Sequence, residues 1–308
     1  MKPAPFVYHR PHDVESAARM LAELGGDAKV IAGGQSLVPL MNFRLAEPEH
    51  LVDVNTVAGL DGLRVANGAV EVGATVRHAR LLRDAAVADA LPLLAEATGW
   101  IAHAVIRNRG TVCGSLAHGD PAAELPAVLA LLAGSVDAVA WRAGSLTTRR
   151  VPAAELFVGP LETSLAADEL VVGATFPMLG ARTGWAMDEL ARRRGDYALA
   201  GVALTVTVDD EGAPTGGHAA YLSCATTPVV LDLRPALAGG GGHAGALYDL
   251  VAGALDPTDD IHARGDYRRH LAATLTVRAV GRAVERARAG PGAVSGTGTD
   301  RPASEVTA

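Results

Sequence analysis

From Val14 to Leu24 the apolar residues Val14, Ala17, Leu21 and Leu24 recur at helical spacing and share one face. Asp13 stands ahead of them as a cap and Gly25-Gly26 follows as a stop, so the pattern predicts a helix. The next run, AKVIAGG, is a short strand opening into glycines, and HLVDVN from His50 is a second strand. Pro39 and Pro48 punctuate a turn or short helix between them, giving a small α/β unit.

In LRVANGAVEVG the apolar alternation reverses around Asn67-Gly68, a pair suited to positive φ at both central positions of a hairpin. Helices follow through RHARLLRDAAVADALPLLAEATGWIAH, and PAAELPAVLALLAG predicts another with Pro121 in its first turn. Val136 to Trp141 and Leu170 to Phe176 read as strands, with a boundary at Pro177 and Gly180. Beyond it, ALAGVALTVTVDDEGAPTGGHAAYLSCA predicts two long alternating strands around a polar turn. Ala263 to Ala289 predicts a surface helix with a solvated arginine-rich side. GGGGHAG, from Gly239, reads as a flexible loop because no strand leads into it and no GK[ST] follows. The Gly/Ser/Thr/Pro-rich tail, 290–308, predicts disorder.

The 308-residue length adds an expectation of two or three folded units, and 49% hydrophobic with 20% charged residues is ordinary for a globular chain. A net charge of −7 argues against a nucleic-acid surface. The longest apolar run, Leu125 to Ala133, falls short of a membrane span, and the amino terminus lacks a signal-type apolar core. A cytoplasmic location is expected. Cys113 and Cys224 are the only cysteines and are far apart, so neither a zinc nor an iron-sulfur centre is expected. Of 27 basic residues only Lys2 and Lys29 are lysines, which leaves almost no candidate for Schiff-base chemistry.

Candidate chemistry gathers at two glycine turns. VIAGGQSL, from Val30 through Ile31, Ala32, Gly33, Gly34, Gln35 and Ser36 to Leu37, is either a plain tight turn or an anion nest of consecutive N–H groups with a hydroxyl. TVCGSLAHGDPAAE, Thr111 to Glu124, sets Cys113, His118, Asp120 and Glu124 close together. Its readings are a cysteine nucleophile with His118 as base, a mixed-ligand metal site, or a small packing thiol. A further reading pairs the turns: two nests embrace a pyrophosphate without a cationic side chain, as a dinucleotide such as FAD requires. Asp120 or Glu124 then suits ribose or adenine donors, and Asp120 also suits helix capping.

AGGQSLVPLMNFRLAEPEHLVDVN and IRNRGTVCGSLAHGDPAAELPAV together resemble the FAD-binding medium subunits of the molybdenum hydroxylases, the carbon monoxide dehydrogenase and xanthine dehydrogenase family. The resemblance runs from YHRP at Tyr8 through ARRRGDYALAGVA to the last helix. It implies an α+β chain: a two-subdomain FAD domain of the vanillyl-alcohol oxidase or p-cresol methylhydroxylase type over 1–177, with subdomains of about 1–56 and 57–177, then an α+β carboxy-terminal domain over 178–289. It implies that Ala32 to Ser36, and Thr111, Val112, Cys113, Gly114 and Ser115, hold the FAD pyrophosphate. Glu124 resembles a contact to the adenosine half, Ile101 and Val171 resemble apolar residues lining the cofactor, and Tyr197 resembles an aromatic over the isoalloxazine. Without the resemblance Tyr197 reads as a packing residue.

The implied FAD is noncovalent, and no side chain here acts as catalytic acid or base. The implied partners are a small chain with two [2Fe-2S] clusters and a large molybdopterin chain, in a dimer of heterotrimers that passes electrons to an outside acceptor. A self-contained flavoprotein oxidase, with Tyr197 or His103 as base, is an alternative, and a structural subunit without FAD is another. The last is motivated by two departures: Cys113 stands where many relatives have the first glycine of TxGGx, and Asp188 and Glu189 lie where some carry a lysine by the flavin.

Overall fold

The computed structural model describes residues 2–237 and 243–290; the glycines Gly239 to Gly242 and the tail beyond Gly290 lie outside these, while His243 to Gly245 of the expected loop open a helix instead. The chain opens with β1 (Val7–His9), α1 (Val14–Leu24), β2 (Ala28–Ile31), α2 (Leu37–Asn42) and β3 (His50–Asp53). The strands form a parallel sheet in the order β1-β3-β2, with Val7 and Ala28 both opposite His50. Asp13 caps α1 as its sequence predicts, accepting from Ser16 N at 2.7 Å, and Ala17, Ala18 and Leu21 fill the core.

Next come β4 (Leu63–Ala66) and β5 (Ala69–Gly73), whose hairpin turn puts Asn67 and Gly68 at φ of 53° and 72°. A helical layer follows: α3 (His78–Arg83), α4 (Ala85–Ala90), α5 (Pro92–Trp100), α6 (Ala104–Arg107), α7 (Val112–His118) and α8 (Glu124–Leu131). Pro121 is not in the first turn of α8. Asp120 Oδ1 accepts from Ala122 N at 2.8 Å, a local turn that delays helix entry until Glu124. Then β6 (Ser135–Arg142), β7 (Ser145–Pro152), α9 (Ala153–Leu156), the short pair β8 (Phe157–Gly159) and β9 (Glu162–Thr163), and β10 (Leu170–Pro177) complete an antiparallel sheet ordered β4-β5-β10-β6-β7.

The carboxy-terminal part is an antiparallel sheet β11-β12-β13-β14, made by β11 (Thr183–Leu190), β12 (Ala200–Val208), β13 (Pro214–Leu222) and β14 (Val229–Asp232). It is covered by α10 (Arg234–Leu237), α11 (His243–Ala254) and α12 (Gly265–Ala289). The strands β12 and β13 lie where the sequence predicts them, but β12 is buried along nearly its whole length rather than on alternate residues. Its two faces serve two cores: Val202, Leu204 and Val206 pack under α12, whereas Ala203 joins the core of the amino-terminal part with Trp185, Met187, Ala220 and Leu222.

The arginine side of α12 is not simply solvated. Arg278, Arg282 and Arg286, one on each successive turn, reach the β11 strand and the amino-terminal part. Arg278 and Arg282 both donate to Asp188 Oδ2, at 2.8 and 3.1 Å, and Arg286 donates to Glu96 Oε2 on α5 at 2.7 Å. Gly184 permits this close docking, since a Cβ there would lie 1.9 Å from the Ala283 carbonyl oxygen.

Candidate functional site

The first glycine turn leaves β2 at Ile31 and enters α2 at Leu37. Gly34 turns at φ 68°, Gln35 Nε2 donates to Gly33 O at 2.9 Å, and Val38 N donates to Gly34 O at 3.0 Å. Among the described residues no protein acceptor takes the backbone N–H groups of Ala32 through Leu37. Unspent donors in succession are what an anion requires, and these partly buried N–H groups are free of protein acceptors to provide them.

The second stretch is the entry to α7 rather than an open turn. Thr111 is its cap: Oγ1 accepts from Gly114 N at 3.1 Å, and the Thr111 carbonyl accepts from Ser115 N at 3.1 Å. Val112 N is committed to Val76 O at 3.0 Å, and the Val112 side chain is fully buried. The N–H groups of Thr111 and Cys113 remain without a protein acceptor among the described residues. Cys113 lies in the helix with negative φ, so the side chain in place of glycine causes no backbone conflict. Its thiol turns into the core, 3.7 Å from Val72 O, and burial pushes it up to about 12, which removes the cysteine-nucleophile reading. Cys113, His118 and Asp120 do not form a metal-binding group; among the described residues no three such ligands converge.

The two stretches meet through glycine. A Cβ on Gly33 would lie 2.6 Å from Arg109 O and 2.7 Å from Gly110 Cα, so the turns approach backbone to backbone. On the far side of Gly110 sits His78, 5% exposed, with both ring nitrogens unpartnered. Burial lowers its pKa to about 4, so it is a neutral support behind the turn.

The remaining candidates come from both sides of the seam between the two parts of the chain. Ile101 and Val171 are each 8% exposed. Arg107 Nη1 fixes the Ile101 segment by donating to the carbonyls of Ile101, at 2.6 Å, and of Ala102, at 2.9 Å. Tyr197 arrives from the carboxy-terminal part on a loop whose Gly195 lies against the His103 ring. Its ring is 71% exposed; partial withdrawal of the hydroxyl from water, then Asp120 and Glu124, raises its pKa. Across the same seam Ser223 N donates to Pro121 O at 2.8 Å.

Glu124 heads α8, and burial followed by Asp120 pushes its carboxyl up to about 7. Glu189 faces it from β11, pushed up to about 8 by burial and then by Glu124 and Asp188. Strand alternation separates the neighbouring carboxylates: Asp188 is held by the α12 arginines, while Glu189 turns to the opposite face with Oε2 buried and unpartnered among the described residues. The vacant N–H groups of Ala32 to Leu37, Thr111 and Cys113 are donors that fit a pyrophosphate, and the glycine contact leaves room for it to approach the backbone. Sequence reasoning passed over Asn55 and Arg77, which tie the two turns together, because no spacing marks either.

Such an arrangement defines a flavin-binding chain with a companion α+β domain. Residues 4–179 match the family described as the FAD binding domain in molybdopterin dehydrogenase, and residues 185–283 match the CO dehydrogenase flavoprotein C-terminal domain. The 6-hydroxypseudooxynicotine dehydrogenase complex subunit alpha of Paenarthrobacter nicotinovorans is 41% identical over 94% of this chain and 97% of its own. Caffeine dehydrogenase subunit beta of Pseudomonas sp. strain CBB1 is 35% identical over 93% of this chain and 97% of its own. The solved carbon monoxide dehydrogenase of Hydrogenophaga pseudoflava contains a chain that superposes with a TM-score of 0.85 at 35% identity, covering 93% of this chain and 99% of that one. This chain belongs to the FAD-binding medium subunits of the molybdenum hydroxylase family.

Proposed function

We propose that this chain is the electron exit of a heterotrimeric molybdenum hydroxylase. It receives electrons from the [2Fe-2S] clusters of a small partner chain and delivers them to an external acceptor, while a large molybdopterin chain hydroxylates the substrate. Bound FAD supplies the exchange between one-electron and two-electron carriers. The observation that carries the reading is the pair of abutting glycine turns with vacant N–H groups, at Ala32 to Leu37 and at Thr111 and Cys113.

In this reading Ala32 to Ser36 and the α7 entry bind the pyrophosphate, Glu124 orients the adenosine half, and Ile101, Val171 and Tyr197 border the isoalloxazine. Both cysteines are buried, which supports noncovalent attachment. The cysteine at position 113 leaves the donor geometry intact, which favours a working FAD site over a purely bracing subunit. Relatives named for a nicotine derivative, caffeine and carbon monoxide share this chain's form at 41, 35 and 35% identity, so substrate choice belongs to the large chain. No helix among the described residues is long and apolar enough to cross a membrane. The proposed assembly is a cytoplasmic dimer of heterotrimers.

Visible spectra of the purified chain, alone and with its co-expressed partners, test the reading. Flavin absorbance that substrate bleaches only in the complex is the expected result. Bleaching of the isolated chain by substrate would show a self-contained oxidase, and the absence of flavin from the complex would show a bracing subunit.

A further inference from the structure

The two turns are joined by side chains that lie outside both. Asn55, two residues beyond β3, donates from Nδ2 to the carbonyl of Ala32, at 2.8 Å, in the first turn. Arg77, ahead of α3, donates from Nη2 to Asn55 Oδ1 and from Nη1 to the carbonyl of Arg109, which leads into the second stretch. Backbone pairing completes the link: His78 N donates to Gly110 O and Val112 N to Val76 O, both at 3.0 Å, so Arg77 sits opposite Thr111. A continuous path therefore runs from the Ala32 carbonyl through Asn55 and Arg77 to the Arg109 carbonyl, beside the Gly33 contact with Gly110.

The charge on this strut has no direct ion pair among the described residues. Asp53 acts on it only through space, since Oδ1 accepts from Asn55 N at 2.9 Å and from Asn55 Nδ2 at 2.5 Å, and Oδ2 accepts from the Tyr8 hydroxyl. No carboxylate lies within ion-pair distance of Arg77 among the described residues, and the guanidinium bonds only to neutral acceptors. Partial burial, then the neighbouring Arg109, lowers its pKa. A guanidinium has five donors in a fixed fork, and two are in use. A half-buried cation with spare donors, set between the vacant N–H run of Ala32 to Leu37 and the separate vacant N–H groups of Thr111 and Cys113, is matched by a diphosphate.

We infer that Asn55 and Arg77 are positioning residues that fix the separation of the two turns, and that Arg77 also provides the counter-charge to the pyrophosphate of the flavin. The inference deepens the FAD reading and rests on it. Backbone nests alone do not account for the site, since a guanidinium with no ion pair among the described residues bridges them.

Three variants separate charge from geometry. Arg77→Gln removes the charge and keeps a donor for a carbonyl. Arg77→Lys keeps the charge without the fork, and Asn55→Ala removes the strut and keeps the guanidinium. FAD affinity is measured by flavin fluorescence on the full-length chain in its complex, stripped of flavin, at low and high salt, with thermal midpoints recorded for the stripped proteins. Arg77→Gln should weaken FAD about tenfold at low salt and lose most of the salt dependence shown by the wild type. Arg77→Lys and Asn55→Ala should weaken FAD while keeping that dependence. An Arg77→Gln protein that binds FAD as the wild type does, or that loses affinity equally at every salt concentration, overturns the counter-charge. If Arg77→Gln does not fold, loss of the salt dependence in Arg77→Lys overturns it equally. Unchanged affinity in Asn55→Ala overturns the strut. A wild-type complex that takes up no FAD overturns the FAD reading itself, a result distinct from any of these.

Discussion

Gly33 is where the smallest side chain has the largest effect. Alanine there would press its methyl onto Arg109 O at 2.6 Å, and backbone on both sides leaves nothing flexible to yield. Gly33→Ala should separate the turns, cost about 1–3 kcal/mol of stability and yield flavin-poor protein. The ratio of visible to ultraviolet absorbance after purification checks this, and full occupancy would contradict the close-packed site. Glu189 governs the pH response. Its folded pKa, about 8, lies above the ordinary 4.5, so the folded chain keeps a proton that the unfolded chain has released. That favours the folded state least where both forms would ionise: stability falls as pH climbs from about 4.5 toward about 8, and Glu124 adds to the fall up to about 7. Glu189→Gln should flatten this decline in thermal midpoint, leaving the Glu124 contribution. A decline as steep as in the wild type would place the pH sensitivity elsewhere.

At the level of elements, what was legible followed from local pattern. Asp13 before α1, the Asn67-Gly68 hairpin and the glycines after β2 are read from adjacent residues, and the structure places each as expected. β11 was not legible because TGWAMDEL has no clean alternation and a single β-branched residue, Thr183; it is a strand because β12 pairs along all of it and α12 lies on it. The α12 arginines were misread as solvated because their partners, Asp188 and Glu96, are about 90 to 190 residues away in sequence. Glu96 is the more consequential partner. It accepts from Arg286 at 2.7 Å and from Trp185 Nε1 at 3.2 Å, and it lies on α5, whose end leads into Ile101. Arg286→Met leaves a half-buried carboxylate without its cation and should cost about 1–3 kcal/mol. Adding Glu96→Gln should recover part of that loss. Thermal melts of the two single variants and the double variant form the cycle, and strict additivity would show that the clasp carries no coupling energy.

For the whole molecule, two family matches suggest two separable domains, whereas the packing joins them. Trp185, Met187, Ala203, Ala220 and Leu222 belong to the core that also holds Leu94, Leu125 and Phe176 from the amino-terminal part. The proposed flavin site draws on both parts as well: Ile101, Val171 and Glu124 come from the first, and Glu189 and Tyr197 from the second. A fragment ending at residue 179 would therefore expose the apolar face that α8 presents to β12 and β13, and would lack Glu189 and Tyr197. The intact chain should unfold in a single denaturant transition, with fluorescence of Trp100, Trp141 and Trp185 and far-ultraviolet circular dichroism coinciding. The fragment should aggregate or melt well below the intact chain and should hold FAD poorly even where it stays in solution. Two resolved transitions in the intact chain, or a fragment as stable and as flavin-rich as the whole, would show that the shared core is a docking surface between independent domains. Coincident transitions would mean that a substitution on the carboxy-terminal side of the seam, such as one at Trp185, lowers flavin occupancy without touching either glycine turn.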